Sequence, residues 1–230
     1  LQKPFLKKLL EKHPEITTVV LNINNRFGPV ILGVREKVIY GSGYIEDVLC
    51  GKRFRISSRS FYQINPVQTE KLYSAAIGLA GLTGNETVLD AYCGIGTIGL
   101  SASDKAKQVI GIEINRDAVN DAIANARLNG VKNCWFTVGD AGKYMEQMAA
   151  DKVKPDVVFM DPPRAGSDER FLSSLLKCAP KRIVYISCNI DTQRRDLDVL
   201  LSGGYKIRRI QPVDMFPYTE HIECVVMLEK

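Results

Sequence analysis

Val88-Leu89-Asp90-Ala91-Tyr92-Cys93-Gly94-Ile95-Gly96-Thr97-Ile98-Gly99 joins a short apolar run to a glycine-spaced turn. An apolar run closed by a G-x-G-x-x-G spacing reads as a strand, a tight turn and the first turn of a helix. Its glycines let the backbone turn sharply and approach a ligand closely. Glu113 closes the next apolar run, nineteen residues after Gly94, where a carboxylate can accept hydrogen bonds from both hydroxyls of a ribose. From this point the rhythm is strand, helix, strand, helix. Strands are expected over 87–90, 108–113, 134–138, 156–160 and 182–187, and helices over 97–103, 116–129, 168–177 and 191–202. Such alternation predicts an α/β fold with a mostly parallel sheet. The last two strands, expected over 205–210 and 223–228, are joined by a stretch holding Pro212 and Pro217 rather than a helix, so the sheet should end on an antiparallel pair.

Upstream, Asn65 can cap a helix that opens on Pro66 and runs to about residue 79. The first fifteen or so residues read as a short helix stopped at His13-Pro14. Between them the pattern is β-rich. Short strands are expected over 16–23, 30–33, 37–40 and 54–56, divided by turns at Asn24-Asn25-Arg26-Phe27-Gly28-Pro29 and Gly41-Ser42-Gly43. The expected division is therefore a small β-rich unit over 1–60 and a larger unit over 61–230.

With 230 residues, 45% of them hydrophobic and 25% charged, the chain can bury a full core. The net charge of +5 permits a polyanionic partner without demanding one. Lys52-Arg53-Phe54-Arg55 with Arg59, Arg194-Arg195, and Lys206 with Arg208-Arg209 are the places to look for phosphate contacts. Six cysteines include no C-x-x-C pair and only two histidines accompany them, so no metal site is expected. No run is long enough to span a membrane and no secretory signal is recognisable, so a cytoplasmic protein with reduced thiols is expected. The first residue is Leu1 rather than methionine, so a further N-terminal module is expected to precede it.

The glycine turn alone fits a dinucleotide, and hence an NAD-dependent oxidoreductase, as well as other adenosine ligands. Asp90 at the end of its strand would repel a pyrophosphate but suit an ammonium and a sulfonium. Asp140, in Gly139-Asp140-Ala141, could hold an adenine amino group. Both residues could instead be helix caps. Three acids at the ends of three successive strands favour S-adenosylmethionine as the cofactor. Further on, Val157-Val158-Phe159-Met160 runs into Asp161-Pro162-Pro163-Arg164, where two prolines fix the acid. Enzymes that methylate exocyclic amines carry an aromatic residue where Arg164 stands here, which argues for a different target atom. Ile183-Val184-Tyr185-Ile186 runs into Ser187-Cys188-Asn189 and presents one thiol beyond a buried strand. A pyrimidine C5 is too weak a nucleophile to attack a methyl sulfonium. A thiolate added at C6 makes C5 enolate-like, and a base must then remove the C5 proton. Cys188 can supply the thiolate. Glu223, at the start of an apolar strand, is the candidate base, with a strand-edge ion pair as its other explanation.

Phe61–Pro66, Asp90–Gly96, Asp161–Arg164, Ser187-Cys188-Asn189 and His221-Ile222-Glu223 resemble, in order and spacing, the AdoMet-dependent RNA uracil-5-methyltransferases acting on ribosomal and transfer RNA. The resemblance covers about residues 60 to 230, and the β-rich part is similar to that family's central domain. It implies a Rossmann-like class I methyltransferase fold with a seven-stranded sheet. It also implies Cys188 as nucleophile and Glu223 as base, with Gln63, Tyr92, Gly94, Gly96, Glu113, Asp140 and Asp161 binding S-adenosyl-L-methionine. The expected substrate is structured RNA, ribosomal RNA first and transfer RNA second, and the expected state is a monomer. Family members with a β-barrel RNA-binding domain or an iron–sulfur cluster carry those features near the N-terminus, and neither is visible here. A cytosine-5 RNA methyltransferase would be expected to carry a second thiol after the proline of the acidic loop, where this chain has Arg164. A non-catalytic RNA- or AdoMet-binding module would make Cys188 merely a buried thiol.

Overall fold

A computed structural model of the chain describes residues 2–25, 28 and 31–230. Helix α1 (Gln2–Lys12) stops just ahead of His13-Pro14, because a proline drives the residue before it out of the helical region. Strands β1 (Thr18–Ile23) and β2 (Arg35–Gly41) pair antiparallel. Strands β3 (Tyr44–Leu49) and β4 (Lys52–Ser57) form a hairpin around Cys50-Gly51, both at positive φ as a two-residue hairpin turn requires. β3 is not among the expected strands: Glu46 and Asp47 interrupt its β-forming pattern, and pairing with β4 overrides that weak local preference. The strand expected over 30–33 is absent at Ile31, Leu32 and Gly33, and Val30 lies outside the described residues. Arg26, Phe27 and Pro29 of the expected turn lie outside them too.

Helix α2 (Pro66–Ala80) begins as its sequence dictates. Asn65 Oδ1 accepts from Gln68 N, Pro66 occupies the first turn, and Gly81 ends the helix at φ +57. The alternating part then follows: β5 (Thr87–Ala91), α3 (Thr97–Ala102), β6 (Gln108–Glu113), α4 (Arg116–Leu128), β7 (Cys134–Val138), α5 (Ala141–Ala150) and β8 (Val157–Met160). After these come α6 (Glu169–Cys178), β9 (Arg182–Ser187), α7 (Ile190–Ser202), β10 (Lys206–Val213) and β11 (Glu223–Glu229). Helix α5 is the element of this alternation that the sequence pattern did not announce.

The strands of the large sheet lie in the order β10-β11-β9-β8-β5-β6-β7, with β11 antiparallel to both neighbours. The α/β class and the antiparallel end are thus as expected. The chain steps outward from β5 to β7 and then returns to β5's other side with β8. Loops leaving β5 and β8 therefore diverge, and a crevice opens at the carboxyl ends of those strands.

Period-two alternation builds one core on each face. Val184 and Ile186 of β9 pack with Leu72, Leu100 and Phe159 on one side, while Ile183 and Tyr185 pack with Leu89, Met145 and Phe171 on the other. The β3–β4 hairpin contributes Leu49, Phe54 and Ile56 to the first of these cores.

Hairpin and α4 are also stitched together. Asn125 and Asn129 stand one helical turn apart, and each side-chain amide both accepts from and donates to the β4 backbone. Asn125 Oδ1 takes Arg55 N at 2.7 Å and its Nδ2 gives to Arg55 O at 3.2 Å. Asn129 does the same with Arg53, at 2.8 and 2.6 Å. Asp121, a turn earlier, accepts from Ser57 N at 3.1 Å. Three side chains at i, i+4 and i+8 thereby satisfy alternate residues along an otherwise unpaired strand edge.

Candidate active site

A cavity of about 750 Å³ lies at the crevice, a usual size for a small-molecule site. Gln63, Tyr92, Gly94, Glu113, Asp140, Asp161, Arg164, Cys188, Phe216 and Glu223 are all in its wall. Of the residues expected at the site two are not, Asp90 and Gly96. Gly96 holds φ +83, and a Cβ there would lie 2.9 Å from the Phe136 ring, so this glycine serves the close packing of α3.

Glu113 ends β6, and backbone groups aim its carboxylate. Oε2 accepts from Gly94 N at 3.1 Å and Oε1 from Asn115 N at 2.8 Å. A carboxylate has about four acceptor positions, so room remains for a diol. Tyr92 takes φ +67 in the turn after β5. Its hydroxyl donates to Ser167 Oγ at 3.2 Å, its ring leans on Phe171, and burial pushes the phenol up to about 12. Asp140 caps α5, with Oδ1 accepting from Lys143 N at 2.9 Å, and also lines the cavity. For Asp140, capping the helix and lining the cavity coexist. Gln63 enters from the segment before α2 and has no side-chain hydrogen bond among the described residues.

Asp90 is placed differently from its expectation. It shares the face of Val88, lies fully buried beneath the glycine turn, and is not in the cavity wall. Its Oδ2 accepts from Gly99 N at 2.8 Å, while Oδ1 is buried without a partner. A side chain one residue before the strand end points to the opposite face from the ligand. Burial first, and then the nearby Glu113 charge, raise this carboxyl to about 7 against the Gly99 bond. Because the folded value lies above the unfolded one, the stability this group contributes is complete below about pH 4. It is lost as pH rises through about 7. Asp90→Asn keeps the acceptor for Gly99 but does not titrate. It should therefore be more stable than wild type at pH 8, by up to about 4 kcal/mol, and lose most of that advantage by pH 4. Thermal melts at the two pH values check this.

The thiol and its partner come from adjacent antiparallel strands. The register pairs Cys224 with Ser187, and Glu223 and Cys188 each follow one residue beyond that pair, at the same end of the two strands. Glu223 is only 7% exposed. Burial raises its carboxyl, and the Arg164 charge draws it back down. Burial also raises the Cys188 thiol, with the Glu223 charge adding to the rise and Arg164 opposing it through a hydrogen bond and its charge. Asp161 follows β8 and is raised well above the carboxylate range, by burial first and then by Glu223 and Asp90. Arg164 therefore acts on both Cys188 and Glu223, and among the described residues it is the one cation in the cavity wall, against four carboxyl groups.

The loop carrying Arg164 is held from α7. Asn189 Nδ2 and Thr192 Oγ1 each donate to Arg164 O at 3.1 Å, and Arg195 Nη2 donates to Ala165 O at 3.0 Å. Buried Asp196 Oδ2 accepts from both Ser167 N at 2.8 Å and Tyr185 Oη at 2.7 Å. Ser167 in turn holds Tyr92. Reading the sequence missed this chain of contacts. Its one signal is Asp196 at a buried helical position, which demands partners.

The basic clusters fare unevenly. Lys52, Arg53, Arg55 and Arg59 are each paired with an acid of the protein, namely Asp104, Glu46, Asp121, and Glu36 with Asp117. Arg195 is committed to Asp196 and Arg208 to Glu229. Among the described residues no His, Cys, Asp or Glu group could hold a metal, and no helix is long and apolar enough to cross a membrane.

A wall with four carboxyls and one guanidinium suits a ligand bearing positive charge and hydroxyls, and opposes a pyrophosphate. This donor set fits S-adenosylmethionine. Comparison with known proteins agrees on the scaffold. A protein of Halalkalibacterium halodurans described as an uncharacterized RNA methyltransferase is 49% identical over 228 residues, covering 99% of this chain and 50% of the relative. One of Caldanaerobacter subterraneus with the same description is 48% identical over 229 residues, covering 100% and 51%. The chain thus spans about half the length of the curated relatives it matches. Among solved structures, the Pyrococcus abyssi tRNA (uracil-54, C5)-methyltransferase in complex with S-adenosyl-L-homocysteine superposes with a TM-score of 0.78 at 31% identity. That match covers 95% of this chain and 52% of that one. The M. jannaschii tRNA m1G37 methyltransferase, with a TM-score of 0.62 at 15% identity over 84% of this chain and 59% of its own, shares the fold alone. The family model for tRNA (uracil-5-)-methyltransferases matches residues 27–230, and with the fold and the relatives just described, the chain belongs to that family.

Proposed function

We propose that the protein transfers a methyl group from S-adenosylmethionine to C5 of a uridine in structured RNA, through a transient bond between Cys188 and C6 of the base. The observation that carries this reading is that Cys188 and Glu223, each one residue beyond the Ser187–Cys224 pair of β9 and β11, share the wall of one acid-lined cavity. Bound S-adenosylmethionine supplies an electrophilic methyl on a sulfonium. Glu113 would hold its ribose and Asp140 its adenine, with Gln63, Tyr92, Gly94 and Asp161 around the rest. Cys188, as thiolate, adds to C6 and leaves C5 enolate-like, able to take the methyl group. Glu223 then removes the remaining C5 proton, the C5–C6 double bond re-forms and the thiolate departs. Arg164 opposes the effect of burial at both groups, keeping the thiol easier to ionise and Glu223 readier to act as a base.

A uridine inside folded RNA must be swung out to reach Cys188, at a cost of roughly a few kcal/mol. In this reading the β-rich residues 1–60 contact RNA and 61–230 perform the transfer, with the protein acting as a cytoplasmic monomer. Since four basic residues near the hairpin are already neutralised, phosphate contacts are assigned first to Arg194, Lys206 and Arg209, which pair with no acid among the described residues. Ribosomal RNA is the proposed target and transfer RNA the alternative. The test is methylation, by the full-length protein, of total RNA from cells lacking the gene, with the product nucleoside mapped. The expected product is 5-methyluridine in ribosomal RNA, and the same nucleoside in transfer RNA selects the alternative. 5-Methylcytidine, or no transfer, rejects the reading.

A further inference from the structure

The connection between β10 and β11 contains a four-residue turn, Phe216-Pro217-Tyr218-Thr219. Thr219 closes it, donating to Phe216 O from N at 3.1 Å and from Oγ1 at 2.7 Å. Tyr218 takes φ +71 at the third position, which this kind of turn reserves for glycine or asparagine. The backbone is strained there, and no contact of the ring compensates. The side chain is fully exposed, at 106% relative accessibility, and makes no hydrogen bond among the described residues. The two ends of the loop are anchored, and the residues from 217 to 222 are exposed. Met215 is buried and its carbonyl accepts from Asn65 Nδ2 at 2.8 Å, while Phe216 and Glu223 both line the cavity. Tyr218 thus lies two residues from a wall residue and so within about 7.6 Å along the backbone, yet outside the cavity.

Strain concentrated at one residue beside a site, with an aromatic face presented to solvent, points to a ligand that completes it. We propose that Tyr218 is a stacking platform for the RNA nucleotide next to the target uridine. This inference rests on the uridine reading above. Extruding a base leaves its neighbour without a stacking partner, and an exposed aromatic face replaces that partner whatever the neighbour's identity. The ring stands outside the wall that holds Cys188, so the target base itself is not what it receives.

The test uses the full-length protein and, as probe, RNA from cells lacking the gene. Tyr218→Gly removes the ring and relieves the strain together. It should raise the KM for RNA about tenfold, with the effect on KM rather than kcat, leave the melting temperature unchanged or higher, and leave calorimetric binding of S-adenosylmethionine unaltered. Tyr218→Phe, which keeps the face, should restore the wild-type KM. An unchanged KM in Tyr218→Gly overturns the proposal. So does a fall in melting temperature, which would mean that the ring packs against protein, or an equal loss in Tyr218→Phe. A wild type that makes no 5-methyluridine overturns the reading of the site and this inference with it. A normal wild type beside an indifferent glycine variant overturns this inference alone.

Discussion

Cys188→Ala should abolish methyl transfer, lowering kcat by about 10⁴-fold or more, as loss of a covalent nucleophile does when the remaining groups cannot act without it. The substitution takes one sulfur from a half-buried position at the end of β9 and leaves the backbone bonds of the following turn in place. S-adenosylmethionine should therefore still bind, with calorimetric affinity within a few-fold of wild type. RNA carrying 5-fluorouridine at the target should stay attached to the wild-type protein through denaturing electrophoresis, because fluorine cannot leave as a proton does. The same RNA should not be retained by Cys188→Ala. A variant that still turns over would make the thiol a bystander, whatever its position in the cavity.

The second large effect belongs to Glu223→Gln. The amide keeps the volume of a side chain that is 7% exposed but cannot accept a proton. Addition of Cys188 and methyl transfer precede the step that needs the base. Turnover should drop by about 10³-fold while a methylated protein–RNA adduct accumulates. That adduct should appear on a denaturing gel with ordinary uridine and carry label from the methyl donor. If Glu223→Gln lost turnover without any adduct, Glu223 would act before the bond to C6 forms. Normal turnover would leave it a strand-edge acid without a chemical role.

The parts of the fold that could be read from sequence are those where local pattern and tertiary demand coincide. The glycine turn after β5, the Asn65-Pro66 start of α2 and the proline stop after α1 each carry their own chemistry. Where the two part company, sequence falls short. β3 forms across Glu46-Asp47 because β4 supplies a partner, and α5 hides behind Asp140, whose role as a cap was weighed only against a role in binding. Among the site residues, those on loops just past strand ends were readable because topology alone brings such loops together. Asp90 was misplaced by a single step of strand alternation, which turns a side chain from crevice to core. Gly96, expected to give backbone access, lies outside the cavity wall, and its positive φ and the nearby Phe136 ring both require a glycine there. The contacts of Asp196 with Ser167 and Tyr185 span up to 29 residues, and no local periodicity encodes such a meeting.

Asn125 does more than seal a strand edge. Its Nδ2 reaches Ile95 O in the glycine turn at 3.2 Å while also holding Arg55 O, and its neighbour at the head of the same helix, Asn115, bonds both Arg59 O and Glu113. One helix therefore carries the hairpin on its flank and, at its tip, holds the cavity-lining Glu113. The Asn125 amide thus bonds β4 and the glycine turn at once, beside the apolar packing that Phe54 and Ile95 share. Replacing that one side chain would therefore leave both Arg55 O at the strand edge and Ile95 O in the turn without their donor.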